Sequence, residues 1–304
     1  MSGAQIVCDG LPAGWLNGWM AAVGATVIGE GVRLHWHPES HSAVLSAAGG
    51  DPVASLVAAW PSGEQLADLP IAERWRGAGR LQRKVDVEAF AARARAARNH
   101  PQSWSLSSTL TDLAVDAAGE VAHARFDAPG PGPIKWLHHR LLKAWKHVDS
   151  PSAERLRASL VGEAERVQDN GLGFDHSRLA SPADDGGRWT DPVVEVLAFF
   201  ALALLPMRGR GTDRRVDPSA FVDQRQRGWR RTPGSRDARR FHWPAWHRPL
   251  GADGIDALLD VWRPESPEQW PLVGVHAAWR TVAFQPHGVD KTRAFGAERL
   301  LDAG

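Results

Sequence analysis

The sequence VVEVLAFFALALL, at residues 193–205, decides the fold of this chain of 304 residues. It is apolar on nearly every side of a helical wheel, and a helix of that kind has to be buried among other elements. The stretch is too short to cross the hydrocarbon layer of a bilayer, which takes about 20 residues. We therefore predict a buried helix near 193–205.

Capping residues predict where further helices begin. An Asp or Ser followed by proline combines an N-cap with a residue suited to the first helical turn, and this pair occurs at Asp51–Pro52, Ser150–Pro151 and Asp191–Pro192. Pro12 likewise predicts the start of an Ala/Gly-rich helix that runs to about residue 27. Prominent helices are therefore expected along the chain.

Short strands are predicted between these helices. Polar and apolar residues alternate at 32–37 and a return strand fits 43–46, which together are typical of a hairpin. Further short strands are expected at 5–8, within 102–126 and at 272–284. The predicted fold is mixed α+β, with helices prominent, short strands and the buried apolar helix near 193–205.

The sequence DAPGPGP at residues 127–133 is the clearest loop or linker. It separates an N-terminal α+β part, 1–126, from a helical and basic-loop part, 134–304. A single domain with a loop at 127–133 is the alternative.

Bulk composition is typical of a soluble globular protein, with 43% hydrophobic and 23% charged residues. One cysteine, Cys8, excludes a disulfide framework within the chain and a thiolate zinc cluster, and it fits a reducing compartment. The first residues lack the basic and apolar regions of a secretory signal. We expect a cytoplasmic protein without membrane contact.

Positive charge is concentrated in one segment, although the net charge of the chain is only +1. Residues 208–248 read RGRGTDRRVDPSAFVDQRQRGWRRTPGSRDARRFHWPAWHR, with twelve arginines and four aspartates. Clustered arginines beside aromatic rings suit a phosphate backbone and splayed bases. A solvated surface is the alternative, because arginine outnumbers lysine along the whole chain.

The candidate nucleic-acid-binding residues come from this segment and from one helix. Trp246 is expected to stack on a base or dock a partner, whereas Phe241 and Trp243 are expected to be buried anchors. The candidate arginines are Arg208, Arg210, Arg214, Arg215, Arg225, Arg227, Arg230, Arg231, Arg239 and Arg240.

A second basic surface is predicted on an amphipathic helix at 134–148. Its apolar side would carry Ile134, Leu137, Leu141, Trp145 and Val148. Its basic side would carry Lys135, His139, Lys143 and Lys146. This side suits a phosphate backbone, and a plain solvated helix face is an equal alternative.

No catalytic site, metal or cofactor is predicted. The sequence contains no GxxxxGK[ST] loop, no GxGxxG after a strand and no GxSxG elbow. Histidines and aspartates that could bind a metal or act in catalysis are more simply explained as surface, hydrogen-bonding or ion-paired residues. They are His35, His37, His41, Asp175, His176, Asp213, Asp217 and Asp223.

Two stretches resemble proteins of type I-G (formerly I-U) CRISPR–Cas loci. GLPAGWLNGWMAAVGA at 10–25 is similar to the start of those proteins, a short strand followed by G-L-x-x-x-x-L-x-x-x-x-A-x-G. LAFFALALLPMRGRG at 197–211, RGW at 227–229 and FHWPAWHRPL at 241–250 resemble their L-A-x-x-G-L-x-x-x-P helix and G-W … F-x-W-P-x-W-x-x-P-L segment. Ala201 stands where a glycine is common in that family.

The resemblance implies a large-subunit-like or accessory subunit of such a system. The expected function is a non-catalytic nucleic-acid-binding subunit of an RNA-guided CRISPR antiviral effector complex. Its partners would be other effector subunits, guide RNA or target DNA, and the helicase-nuclease. Two alternatives are a protein–protein adaptor that recruits the helicase-nuclease through the aromatic patch at 241–246, and a metal-dependent nuclease.

Overall fold

The computed structural model describes residues 4–67, 84–86, 111–115, 120–123, 137–169, 171–172, 189–205, 228–231, 239–284 and 294–300. Within these residues the fold is mixed α+β, with helices and short antiparallel strands, as predicted. None of the described helices is long and apolar enough to span a membrane.

The elements of the first half lie in the following order. The chain forms β1 (Gln5–Pro12), α1 (Leu16–Ile28), β2 (Val32–Trp36), β3 (Ser42–Ala47), α2 (Pro52–Ala58) and α3 (Gly63–Ala67). Three strands follow: β4 (Lys84–Asp86), β5 (Thr111–Val115) and β6 (Glu120–His123).

The second half contains the elements that carry the candidate site. Its first part forms α4 (Leu137–Trp145), α5 (Ala153–Val161), β7 (Val167–Gln168), β8 (Trp189–Thr190), α6 (Pro192–Ala201) and a 3-10 turn (Leu202–Leu204). Its last part forms β9 (Trp229–Arg231), β10 (Arg239–Trp246), α7 (Ala252–Val261), a 3-10 helix (Pro267–Val273), β11 (Val275–Phe284) and β12 (Ala294–Arg299).

Helices α1 and α6 pack closely at the centre of the core. Every residue of α6 is buried, so the prediction from the apolar run is confirmed. Gly24 of α1 allows the close approach, because a Cβ there would overlap the carbonyl oxygen of Leu197. Two sequence-distant helices thus make the contact around which the other elements are arranged.

Helix starts follow the predicted capping pattern in two of three cases. The carboxylates of Asp51 and Asp191 accept the N–H groups of Val53 and Val193, at 3.1 and 3.0 Å. In the third case the cap is Ser152, whose hydroxyl accepts the N–H of Arg155 at 3.1 Å. The predicted start at Ser150–Pro151 is two residues early.

The first helix also begins later than predicted. Pro12 is the last residue of β1, and α1 starts at Leu16. The proline fits the end of a strand as well as a first helical turn, since it lacks the N–H that an interior strand position would use.

Two antiparallel sheets flank the helices. One has the order β1-β3-β2 and contains the predicted hairpin of β2 and β3. The other has the order β12-β11-β10-β9. Strands β4, β6 and β5 form a third sheet, and β7 pairs with β8 in a two-stranded ribbon.

Tryptophan side chains connect the two halves of the chain. The indole N–H of Trp19 donates to the carbonyl of Pro244 at 2.8 Å, and that of Trp243 donates to Ala13 at 2.7 Å. Buried residues from both halves belong to one hydrophobic core. The predicted boundary at 127–133 lies outside the described residues.

Candidate nucleic-acid interface

The structure describes part of the predicted interface. Arg230 and Arg231 lie in β9, Arg239 and Arg240 lie in β10, and Trp246 ends β10. Helix α4 carries Lys143 and His139, and Lys146 follows it. The candidates outside the described residues are Lys135, Arg208, Arg210, Arg214, Arg215, Arg225 and Arg227.

The register of β9 and β10 sets arginine against arginine. Arg230 is the cross-strand partner of Arg240, and Arg231 is the partner of Arg239. Directly opposed residues have Cβ atoms about 4.5–5.5 Å apart, so Arg230 and Arg240 bring two positively charged residues to neighbouring positions on one face of the sheet. The next pair, Trp229 with Phe241, is aromatic.

The two faces of β10 differ in chemistry. Phe241, Trp243 and Ala245 have no exposed surface and face the core. Because side chains alternate along a strand, Arg240 and His242 lie on the other face. We name this face the arginine face; cross-strand pairing extends it to two further residues, Arg230 opposite Arg240 and Arg280 opposite His242. The three arginines are half-buried.

Arg230 also contacts a carboxylate. Its Nε donates to Glu265 at 3.2 Å, and the two side chains are 23% and 57% exposed. An ion pair this accessible to water contributes about 0–1 kcal/mol. This ion pair therefore contributes little to the stability of the fold.

His242 is a neutral residue among the arginines. Burial above all, together with the positive charges of Arg230 and Arg280, lowers its pKa to about 4, although backbone hydrogen bonds oppose the shift. Its Nδ1 lies 3.2 Å from the carbonyl oxygen of Gly228, so this nitrogen carries the proton in the hydrogen bond. At neutral pH the positive charge of the arginine face comes from the arginines alone.

The prediction that Trp246 stacks on a base is wrong for this conformation. Trp246 is 1% exposed, its N–H donates to the carbonyl of Leu34 at 2.9 Å, and its ring meets Trp36 edge-on. The pairing register shifts between Ala245 and Trp246, which places Trp246 opposite the buried Val275. The predictions of buried Phe241 and Trp243 are confirmed.

Helix α4 confirms the amphipathic pattern where side chains are described. Leu141 is buried and Lys143 and Lys146 are exposed. The Nζ of Lys143 lies 2.6 Å from Oδ2 of Asp169, a carboxylate that is 4% exposed. Burial alone would raise the pKa of Asp169, but this lysine and the N–H of Gly171 hold it below its usual value. Lys143 is therefore committed to an ion pair, and Lys146 is the more accessible cation.

The histidines of the first hairpin meet partners from the last third of the chain. The ring of His41 stacks on His276, with centroids 5.7 Å apart, and meets Trp279 edge-on. His41 also has a positive φ of 57°. Burial and the charges of His37 and His247 lower the pKa of His35. No group of three potential ligands among the described residues could hold a metal ion.

Sequence reasoning missed Arg280 and His276. Arg280 joins its cluster through the pairing of β11 with β10, and His276 joins His41 through ring stacking across 235 residues of the chain. The sequence signal that could have found Arg280 is its place in the run VHAAWRTVAF, whose β-branched and aromatic residues favour a strand.

Comparison with known proteins does not identify a relative. No protein-family model, curated protein or solved structure matches this chain. The resemblance to type I-G CRISPR–Cas proteins rests on the sequence motifs at 10–25 and 197–250 alone.

Proposed function

We propose that this protein is a non-catalytic, nucleic-acid-binding subunit of an RNA-guided CRISPR effector complex. The observation that carries the nucleic-acid part is the pairing of Arg230 with Arg240 and of Arg231 with Arg239 across β9 and β10. The sequence motifs carry the assignment to the complex. Guide RNA or target DNA, other effector subunits and the helicase-nuclease are the proposed partners.

Opposed arginines favour an anionic partner for a physical reason. Arg230 and Arg240 lie directly opposite each other, and like charges so placed repel, so a bound polyanion would lower that repulsion. Guanidinium groups also bind phosphate oxygens through two parallel hydrogen bonds. A phosphate backbone would therefore meet two guanidinium groups that start from opposed positions on one face of the sheet.

The spacing of the arginine face suits a chain of phosphates. Arg230, Arg240 and Arg280 lie on three adjacent strands, β9, β10 and β11. Neighbouring strands are about 4.8 Å apart, so long arginine side chains can reach consecutive phosphates. Such contacts are independent of base sequence and depend strongly on salt.

The two alternatives receive less support from the described residues. The aromatic patch that would dock a partner in the adaptor hypothesis is buried, since Phe241, Trp243 and Trp246 are at most 1% exposed. The nuclease hypothesis uses His35, His37 and His41, which belong to no group of three potential metal ligands among the described residues, and aspartates such as Asp213 and Asp217, which lie outside them. Metal-dependent cleavage by the purified chain would support a nuclease.

The test is the salt dependence of binding after removal of the arginine face. Replacing Arg230, Arg240 and Arg280 with alanine should weaken binding to labelled DNA and RNA. The slope of log K against log[salt] should shrink by about 0.7–0.9 for each lost phosphate contact. Lysine at the same three positions keeps the charge and should retain most of the slope.

A second arginine serves as the matched control. Arg157 on α5 is 51% exposed and pairs with Asp51 at 3.0 Å. Arg157→Ala should leave the slope unchanged. If the triple variant is folded and its slope equals that of the wild type, the arginine face does not bind nucleic acid. Co-purification of the wild-type chain with guide RNA and effector subunits tests the assignment to the complex.

A further inference from the structure

Glu265 brings a negative charge to the edge of the arginine face. The Nε–H group of Arg230 donates to both of its carboxylate oxygens, to Oε2 at 3.2 Å and to Oε1 at 3.4 Å. Two oxygens that share one N–H group are held less strongly than two oxygens that accept parallel N–H groups of a guanidinium. The Glu265 side chain is also 57% exposed, so water reaches the contact. The carboxylate is thus a weakly held anion at a place where the proposed function requires a phosphate.

The backbone that carries Glu265 is fixed. The N–H of Ser266 donates to the carbonyl oxygen of Arg263 at 3.2 Å, which closes a turn around Glu265. The indole N–H of Trp270 donates to the same carbonyl at 2.9 Å, and the buried Trp270 ring packs against that of Trp262. The position of the carboxylate beside β9 is therefore a property of the fold.

The arginine nearest to Glu265 in sequence does not form this ion pair. Arg263 lies two residues before Glu265, but its guanidinium donates to the backbone carbonyls of Asp260 and Trp262, at 2.7 and 2.9 Å. Glu265 pairs instead with Arg230, which lies 35 residues earlier in the chain. The fold thus directs this carboxylate to the arginine face.

The segment around Glu265 is acidic. Residues 252–268 contain one arginine, Arg263, and five carboxylates: Asp253, Asp256, Asp260, Glu265 and Glu268. The charge of this segment is opposite to that of the arginine face, and the ion pair of Arg230 with Glu265 joins the two. A phosphate that approaches Arg230 comes close to a carboxylate, and the repulsion between like charges opposes its binding.

We propose that Glu265 is an internal competitor, which occupies Arg230 until a phosphate backbone displaces it. The inference rests on the proposed function and concerns the regulation of the same site. An isolated anion at Arg230 would only exchange one exposed ion pair for another. A chain of phosphates that contacts Arg230, Arg240 and Arg280 together gains more than the one ion pair that it displaces. Glu265 thereby favours a continuous phosphate backbone over isolated anions.

The experiment measures binding of the full chain to labelled single-stranded DNA and RNA by fluorescence anisotropy at several salt concentrations. Glu265→Gln keeps the size of the side chain and removes its charge. This variant should bind about 2- to 5-fold more tightly at low salt, the value of one exposed ion pair. The gain should shrink as salt is added, because the Debye length falls from about 10 Å at 0.1 M to about 3 Å at 1 M.

Glu268→Gln is the matched control. Glu268 is an exposed glutamate three residues further along the chain, in the 3-10 helix Pro267–Val273, and it forms no ion pair with a described residue. This variant removes the same charge without touching Arg230. A gain that both variants share therefore measures the general change in charge, and only the additional gain of Glu265→Gln measures the competitor.

A second comparison removes the cation for which the carboxylate competes. In an Arg230→Ala background, Glu265→Gln should tighten binding no more than Glu268→Gln does. Circular dichroism verifies that the Arg230→Ala variants are folded. The comparison of the two glutamine variants in the wild-type background does not depend on this result.

Each other outcome decides against the competitor. If Glu265→Gln binds no more tightly than Glu268→Gln while the wild type binds nucleic acid, the competitor is refuted and the proposed function stands. Weaker binding by Glu265→Gln would mean that the carboxylate positions Arg230 for the phosphate. An undiminished gain in the Arg230→Ala background would show that the contact with Arg230 is not its cause. If neither the wild type nor Glu265→Gln binds either probe, the proposed function and the competitor are both refuted.

Discussion

The indole N–H of Trp246 donates to the carbonyl oxygen of Leu34 at 2.9 Å, a contact between residues 212 positions apart. Leu34 and Leu250 also exchange backbone hydrogen bonds, at 2.8 and 2.9 Å. The end of β10 and the segment after it are therefore bound to the first hairpin by both side-chain and backbone contacts. Trp246 belongs to the framework that holds the sheets together.

Removing Trp246 should destabilise the protein strongly. We expect Trp246→Ala to lower the free energy of unfolding by about 3–5 kcal/mol, as for other large core aromatics. Trp246→Phe keeps most of the packing but leaves the carbonyl of Leu34 without its donor, and should cost about 1–3 kcal/mol. Urea titration measures both. Trp189→Ala, at an exposed tryptophan, should stay within about 0.5 kcal/mol of the wild type; equal losses at the two positions would contradict the assignment.

Gly24→Ala should destabilise the helix crossing. Helix propensity alone predicts that this change stabilises α1 by about 1 kcal/mol. The new Cβ would overlap the carbonyl oxygen of Leu197, a backbone atom that cannot rotate away, so α1 and α6 must separate. We therefore expect a net loss of about 1–3 kcal/mol in thermal or urea unfolding.

Gly50 provides the control for that experiment. A Cβ at Gly50 would meet nothing within 4 Å. Gly50→Ala should change the free energy of unfolding by about 0.5 kcal/mol at most. A stabilised Gly24→Ala variant would mean that the two helices are not in contact at this position.

Two serines before α5 should respond differently to alanine. Ser152 accepts the N–H of Arg155 and caps the helix, whereas Ser150 precedes the cap by two residues. Ser152→Ala should cost about 1 kcal/mol of stability. Ser150→Ala should have an effect of about 0.5 kcal/mol or less. If Ser150→Ala lowered the melting temperature more than Ser152→Ala did, Ser150 would be the capping residue.

His242 should make stability depend on pH between about 4 and 6.5. The folded protein keeps this imidazole neutral down to about pH 4, whereas the unfolded chain takes up the proton near pH 6.5. The unfolded state therefore binds more protons in this range, and stability falls as the pH falls. The full loss on going from pH 7 to below pH 4 is about 3 kcal/mol.

His242→Gln isolates that contribution. Glutamine can still donate to the carbonyl of Gly228 but does not titrate. Urea unfolding at several pH values gives the free energy of unfolding of both proteins. Subtracting the variant's value from that of the wild type cancels the pH-dependent contributions of Asp169 and Asp191. A wild type that loses no more stability than the variant between pH 7 and pH 4 would show that His242 is protonated in the folded state.

Local sequence was sufficient to predict the elements whose structure follows from the pattern of their own residues. The apolar run at 193–205 has no polar side, so burial was its only stable outcome. Asp51 and Asp191 were recognisable as caps because each precedes a proline that fits a first helical turn. The start of α5 was predicted two residues early, at Ser150–Pro151, because Ser152, another residue suited to capping, follows directly.

The candidate site depends on information that is not local. The excess of arginine was visible in the sequence, but the opposition of Arg230 and Arg240 follows from the register of β9 and β10. Trp246 was misassigned because one shift of register, between Ala245 and Trp246, reverses the face on which a side chain lies. Neither register nor its irregularities can be derived from composition or alternation.

The tryptophan hydrogen bonds have a consequence for synthesis on the ribosome. Trp19 of α1 donates to Pro244, 225 residues later, and at about 5–20 residues per second that acceptor is made about 10–45 s after the donor. During this interval α1, whose residues from Leu16 to Thr26 are buried in the finished protein, lacks β10 throughout and lacks α6 for most of the time. The nascent N-terminal segment is thus an apolar substrate for ribosome-associated chaperones until nearly the whole chain has emerged.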